Sequence, residues 1–313
     1  MFAARCIGIS LAVFVLLYVP LSVAISLAWK LQWRGSGPAS ARRSANLLFA
    51  LRLTPLALAA IFTLLFTLPS FLLLEPRSTD ETIGTAPLLL GLCCLTLLAG
   101  GIVQTVLAQM RTSRALMKWL ADSTIVEAGK PVPVFRTSAD APAVTLAGVR
   151  APKVLVSKAV LSVLTPQELR TALEHEVAHV RACDNLKRLL FRLAVFPGMR
   201  ELEDAWSEQA ELAADDAAVS SAGEALDLAA ALIKVSRLSP LHPELTSGLL
   251  HSSTALSLRV RRLFAWEERG SVPTSHPSWW CMLAPALAVF LIVVTTYGSA
   301  LTGMHAVTEW LVR

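Results

Sequence analysis

Thr165-Pro166-Gln167-Glu168-Leu169-Arg170-Thr171-Ala172-Leu173-Glu174-His175-Glu176-Val177-Ala178-His179-Val180-Arg181-Ala182-Cys183-Asp184 is the stretch from which the rest of this 313-residue chain can be read. Thr165 with Glu168 three residues on makes a capping box, Pro166 suits the first helical position, and Leu169, Ala172, Leu173, Val177 and Val180 repeat at helical spacing. A helix is predicted. On it His175 and His179 are one turn apart and offset by about 40°, so both imidazoles can reach one metal ion. Glu176 lies on the flank of that face, where its carboxylate can take a proton from a water held there. The pattern is H-E-x-x-H, and the expected ion is Zn2+.

Around this stretch the chain is apolar: 54% of its residues are hydrophobic and 16% charged, which is too apolar for an ordinary soluble enzyme. The net charge of +5 is carried in short basic clusters beside apolar runs, a pattern of membrane topology rather than nucleic-acid binding. Cys6, Cys93, Cys94, Cys183 and Cys281 form no C-x-x-C pair, and neither a disulfide framework nor a thiolate zinc site is expected.

Four membrane spans are predicted. The first, from Cys6 to Ala28, carries no charge and is long enough for the roughly 30 Å hydrocarbon layer. The loop after it holds Lys30, Arg34, Arg42 and Arg43 with a Gly35-Ser36-Gly37-Pro38 breaker, and is cytoplasmic by the positive-inside rule. The second span runs from about Leu47 to Leu74, with Arg52 expected to snorkel and Pro55 and Pro69 to kink or end it. A short outer loop with Glu75, Arg77, Asp80 and Glu81 leads to the third span, about Pro87 to Met110, which meets Arg111, Arg114 and Lys118. Trp279 and Trp280 open the fourth, ending near Leu301. The expected domains are a three-helix membrane region at 1–111, a cytoplasmic domain at 112–276, and the fourth span with a short outer tail at 277–313. Both termini then fall outside the cytoplasm.

Within the middle domain Val132–Phe135, Val144–Val149 and Val154–Ser157 read as a small sheet of three strands, and the remainder as helices. Leu186 to Phe196 reads as a continuation of the H-E-x-x-H helix or as a segment resting on the membrane surface. Arg259, Arg261 and Arg262 read as a solvated basic face close to the membrane. The fold class is α+β, mainly α.

Catalytic zinc takes three protein ligands and a water, so a third ligand must come from elsewhere. Glu211 is the candidate, with Asp215 four residues on and so placed to hold a histidine ring by its other nitrogen. Glu208 shares that face, and spacing does not separate the two carboxylates. Asp184 either orients the site or faces solvent. His242, His251, His276 and His305 are read as surface or loop residues.

Pro152-Lys153-Val154-Leu155-Val156-Ser157, the Leu164 to Leu169 run, His175 to His179, Asp184-Asn185 and Glu211-x-x-x-Asp215 together resemble the membrane zinc metallopeptidases of the β-lactam-sensor or antirepressor type. The resemblance implies a cytoplasmic zincin-like domain between a third and a fourth inner-membrane helix. It implies His175, His179 and Glu211 as ligands, Glu176 as base, and Asp215 behind the ligands. It also implies a protein or peptide substrate, in known cases linked to repressor inactivation. The heat-shock and prenyl-protein membrane proteases share both motifs and make the second resemblance, with quality control as the function. The penicillin-binding sensor of the first group has no counterpart up to Arg313, so the expected signal arrives through the outer loop, the bilayer-embedded helices or a separate membrane partner. The contrasting expectation is a membrane scaffold that keeps the fold without cutting.

Overall fold

The computed structural model of this chain describes residues 2–32, 40–76, 84–127, 132–137, 144–196, 198–238, 253–266 and 295–310. The breaker at 35–38, most of the outer loop, His242, His251, His276 and the opening of the fourth span lie outside them.

The apolar runs become long helices even where they contain a proline, as at Pro20 and Pro55. They are α1 (Phe2–Gln32), α2 (Ala41–Phe62), α3 (Leu68–Leu74) and α4 (Thr85–Ala121), with a π-helical turn at Thr63–Thr67 joining α2 to α3. Three stretches, Phe2–Leu31, Ala41–Leu74 and Thr85–Ala121, are long and apolar enough to cross a membrane, and Leu64, Leu73, Leu89 and Leu92 stay exposed on their outer faces. The protein is membrane-associated. Pro55 and Pro69 do not end the second stretch. Pro69 has no N–H for the carbonyl of Leu65, and the hydroxyl of Tyr297, on a last helix over 295–310, donates to that oxygen at 2.7 Å. α4 runs unbroken through the boundary expected between 111 and 112.

The sheet has four strands: β1 (Thr124–Glu127), β2 (Val134–Thr137), β3 (Val144–Ala147) and β4 (Lys153–Ser157), in the order β1-β2-β4-β3. β2 and β4 are parallel, with Val134 opposite Val154, while β1 and β3 pair antiparallel at the two edges. The strand missing from the sequence reading is β1, whose Ile125 and Val126 are exposed and so give no buried pattern.

After α5 (Lys158–Val163) comes α6 (Pro166–Arg181), the capped helix. Thr165 Oγ1 accepts from the backbone N–H of Glu168 at 3.2 Å, and Glu168 Oε2 accepts from that of Thr165 at 2.9 Å. α6 lies between the sheet and α9 (Ala222–Leu238), with Val134, Val154, Val156, Leu173, Val177 and Val235 in one core. Lys234 of α9 donates to both Glu168 oxygens at 2.8 Å. Burial pushes the Glu168 carboxyl up, but Lys234 and the Thr165 N–H outweigh it and hold the carboxyl below its usual range. The stabilisation from this ionised group is therefore fully present above the unfolded carboxyl's pKa of about 4.3, and fades as the pH falls through the lower folded value. Glu168→Gln is expected to cost about 1 kcal/mol near pH 7. Chemical denaturation of both proteins should show that gap closing toward pH 3.

α7 (Asp184–Leu193) is a helix of its own and not a continuation of α6. Cys183 takes a left-handed conformation, φ 56°, and turns the chain so that α7 packs on the membrane helices. There Gly101 of α4 touches the carbonyl of Leu193 so closely that a Cβ would overlap it. α8 (Arg200–Ala218) returns along α2, burying Trp206, Leu202 and Ala210 with Phe191 against Ala45 and Leu48. Arg52 does not snorkel. It is 2% exposed, donates to Glu203 at 2.8 Å and to the carbonyl of Ala194, and stacks over Phe191, because α8 and the end of α7 bring acceptors to it. α10 (Ser253–Phe264) packs on α8 and α9.

Candidate metal centre

α6 supplies two side chains that could hold a metal ion and α8 a third. His175 Nε2 and His179 Nε2 stand 3.2 Å apart. Glu211 Oε2 lies 3.4 Å from the first and Oε1 3.6 Å from the second. All three side chains are buried. The far nitrogen of each ring already faces a carboxylate: His179 Nδ1 donates to Asp184 at 2.7 Å, and His175 Nδ1 lies 2.9 Å from Asp215. That leaves each Nε2 free to present a lone pair inward.

Whether these residues suit a metal ion is decided by what they lack. Glu211 is buried with a guanidinium beside it, Arg259 Nη1 at 3.1 Å, but neither of its oxygens receives a well-formed hydrogen bond, and both face the two Nε2 atoms. A dication satisfies these atoms, and two imidazoles with one carboxylate suit zinc. Burial opposes charge on either ring. Before an ion enters, Asp215 and Glu211 nevertheless raise His175 above its ordinary range, and Asp184 and Glu211 push His179 up to about 10, so a binding ion displaces the Nε2 protons and frees the lone pairs. Burial likewise opposes charge on Asp215 and Glu211. Arg259, with His175, holds Asp215 down at about 2 and Glu211 well below its usual value.

The open choice between Glu211 and Glu208 is resolved by the rotation of α8. With Trp206 and Ala210 packed on α2, Glu211 and Asp215 point to α6 while Glu208 is exposed. Asp184, which spacing left undecided, reaches His179. Glu176 is buried beside His175 and borders a small apolar pocket formed by Val144 of β3, Ala172 and the α9 residues Leu228, Leu232 and Val235.

Sequence reasoning missed Arg259. It is no solvated cation: it is 5% exposed, gives two hydrogen bonds of 2.7 Å to Asp215, and places Nη1 3.1 Å from Glu211. Arg262 pairs with Asp216 next to it. Neither partner is legible from a basic run, since both are brought by α8, some forty residues earlier.

A second gathering joins Glu75, His305 and Glu309 at the other end of the helices, with His305 3.8 Å from Glu75 and 3.6 Å from Glu309. It is half open to solvent, and Glu75 already binds Arg5 at 2.7 Å, so no orphaned carboxylate asks for an ion there.

Residues 108–279, more than half of the chain, match the model of peptidase family M48. No curated protein matches the chain.

Proposed function

The chain belongs to peptidase family M48, a family of metallopeptidases, and on that premise we propose that it is a zinc-dependent endopeptidase, anchored in the inner membrane, that cuts protein substrates on the cytoplasmic side. The observation that carries the reading is the convergence of buried His175, His179 and Glu211, with Glu176 next to them and outside the ligand set. When bound there, zinc polarises a peptide carbonyl and makes water a nucleophile near neutral pH.

The chain's own residues do the rest. Asp184 and Asp215 keep the protons of His179 and His175 on Nδ1, so that Nε2 can ligate. Glu176 takes the proton of the attacking water and passes it to the leaving amine nitrogen as the C–N bond breaks. β3 is an edge strand beside α6, and an extended substrate can pair with its free side. The apolar pocket next to Glu176 then receives an apolar side chain of that substrate. Likeness to the antirepressor peptidases supports a regulatory use, with a transcriptional repressor among the substrates. Four spans with both termini outside the cytoplasm belong to the same proposal.

Protein purified in detergent should carry close to one zinc per chain and cut unfolded cytoplasmic proteins. Chelation should remove both properties, and one equivalent of zinc should restore them. One zinc bound with no protein cut would leave a metal-holding scaffold in place of the peptidase.

A further inference from the structure

The left-handed turn at Cys183 has a second effect. Asp184 and Arg188, four residues apart and so on one face of α7, both come back to the ligands. Asp184 accepts a hydrogen bond from His179 Nδ1, and Arg188 Nη2 comes to 3.5 Å from Glu211 Oε1. The Arg188 side chain is 22% exposed, with its guanidinium 5.8 Å over the ring of buried Trp206, which fixes its plane.

The two arginines at Glu211 differ in what they have left to give. Arg259 spends its donors on Asp215 and Glu211. Arg188 Nη2 is buried and makes no hydrogen bond, since its distance from Glu211 is too long for one. An unmade hydrogen bond from a buried guanidinium is costly, so the position calls for an acceptor that comes and goes.

The charges agree. Glu176, Asp184, Glu211 and Asp215 are four carboxylates around the ligand atoms. A dication, Arg259 and Lys187, which lies 3.5 Å from Asp184, together match them. Arg188 is the surplus positive charge. Its Nη2 makes no hydrogen bond in the site and suits a negative charge that appears only during reaction.

We propose that Arg188 is a catalytic residue, whose Nη2–H donates to the carbonyl oxygen of the scissile peptide as that oxygen becomes negative. The water oxygen bonds to the carbonyl carbon, the carbonyl π pair moves onto the oxygen facing Arg188, and the pair returns as the C–N bond breaks. The amine leaves with the proton held by Glu176. Arg188 stays protonated throughout. This rests on the peptidase reading above.

The test uses the full chain, zinc-loaded in detergent, as wild type, Arg188→Met, Arg188→Lys and Arg188→Ala. Cleavage of a fluorogenic peptide is measured with bound zinc and with the affinity of a phosphinic peptide, whose tetrahedral anionic oxygen mimics the reacting carbonyl. Arg188→Met should lower kcat about 10²-fold with KM changed less than about twofold, keep its zinc, and weaken phosphinic peptide binding by a similar factor. Arg188→Lys should fall between, and added guanidinium should restore part of the activity of Arg188→Ala. Unchanged kcat, or a fall in kcat explained wholly by lost zinc, overturns the proposal. If wild type cuts nothing, the peptidase reading falls separately, and Arg188 is then judged on phosphinic peptide binding alone. Equal affinity in wild type and Arg188→Met overturns it.

Discussion

Glu176→Gln should cut peptide hydrolysis by about 10³-fold while leaving the zinc content of the protein unchanged. Glutamine fills the same space beside His175 and the apolar pocket, so neither packing nor the ligand set is disturbed. What is lost is the ability to take and return a proton. A general base is worth about 10² to 10⁴ in rate, and Glu176 serves both halves of the reaction, attack and departure. Zinc analysis and steady-state kinetics on one preparation separate the possible results. Equal rates in the two proteins would remove Glu176 from the chemistry, and loss of zinc with loss of rate would make it part of the metal's support instead.

Arg259→Met is expected to be the most destabilising single change at the site, by about 3–5 kcal/mol with chelator present. The guanidinium is buried between two carboxylates, 2.7 Å from Asp215 and 3.1 Å from Glu211, and a methionine leaves both in the interior without their cation. Two neighbouring buried negative charges must then rely on the two histidines alone or take up protons. Zinc would supply positive charge at Glu211, so adding it should recover more stability in Arg259→Met than in wild type. Arg259→Lys should recover only part, because an ammonium cannot make the two-pronged contact with Asp215. Thermal unfolding with and without zinc gives both comparisons. An unchanged midpoint for Arg259→Met in chelator would show that the three buried charges contribute nothing to stability.

How far the sequence carried the reading depended on whether the deciding forces were local. α6 was legible end to end because its cap, its first proline and its apolar spacing all act within a turn or two. The two histidines and Glu176 followed from the helix alone. The third ligand did not. Glu208 and Glu211 are both allowed by spacing, and only the packing of Trp206 and Ala210 on α2 sets which one turns inward. Arg52 and Arg259 were misplaced for the same reason: a cation's spacing says nothing of acceptors 44 or 151 residues away in the chain. α7 was hidden by one left-handed residue, which neither periodicity nor composition marks at a cysteine. β1 was lost because a short edge strand with Thr124, Ile125 and Val126 all exposed carries too little pattern to be read.

The packing of α8 along α2 also bears on where this peptidase ends and its anchor begins. Trp206, Leu202 and Ala210 belong to one cluster with Ala45 and Leu48, and Leu212 and Ala213 meet Ala41, so the helix that carries Glu211 shares its hydrophobic interior with the second span. Composition draws a line after the third span, but a fragment starting there would bare an oily wall and lose the surface that fixes the angle of Glu211. The catalytic unit is therefore not cargo on a tether. Solvents that loosen the helix bundle act on its chemistry directly, and detergent choice becomes an active-site variable.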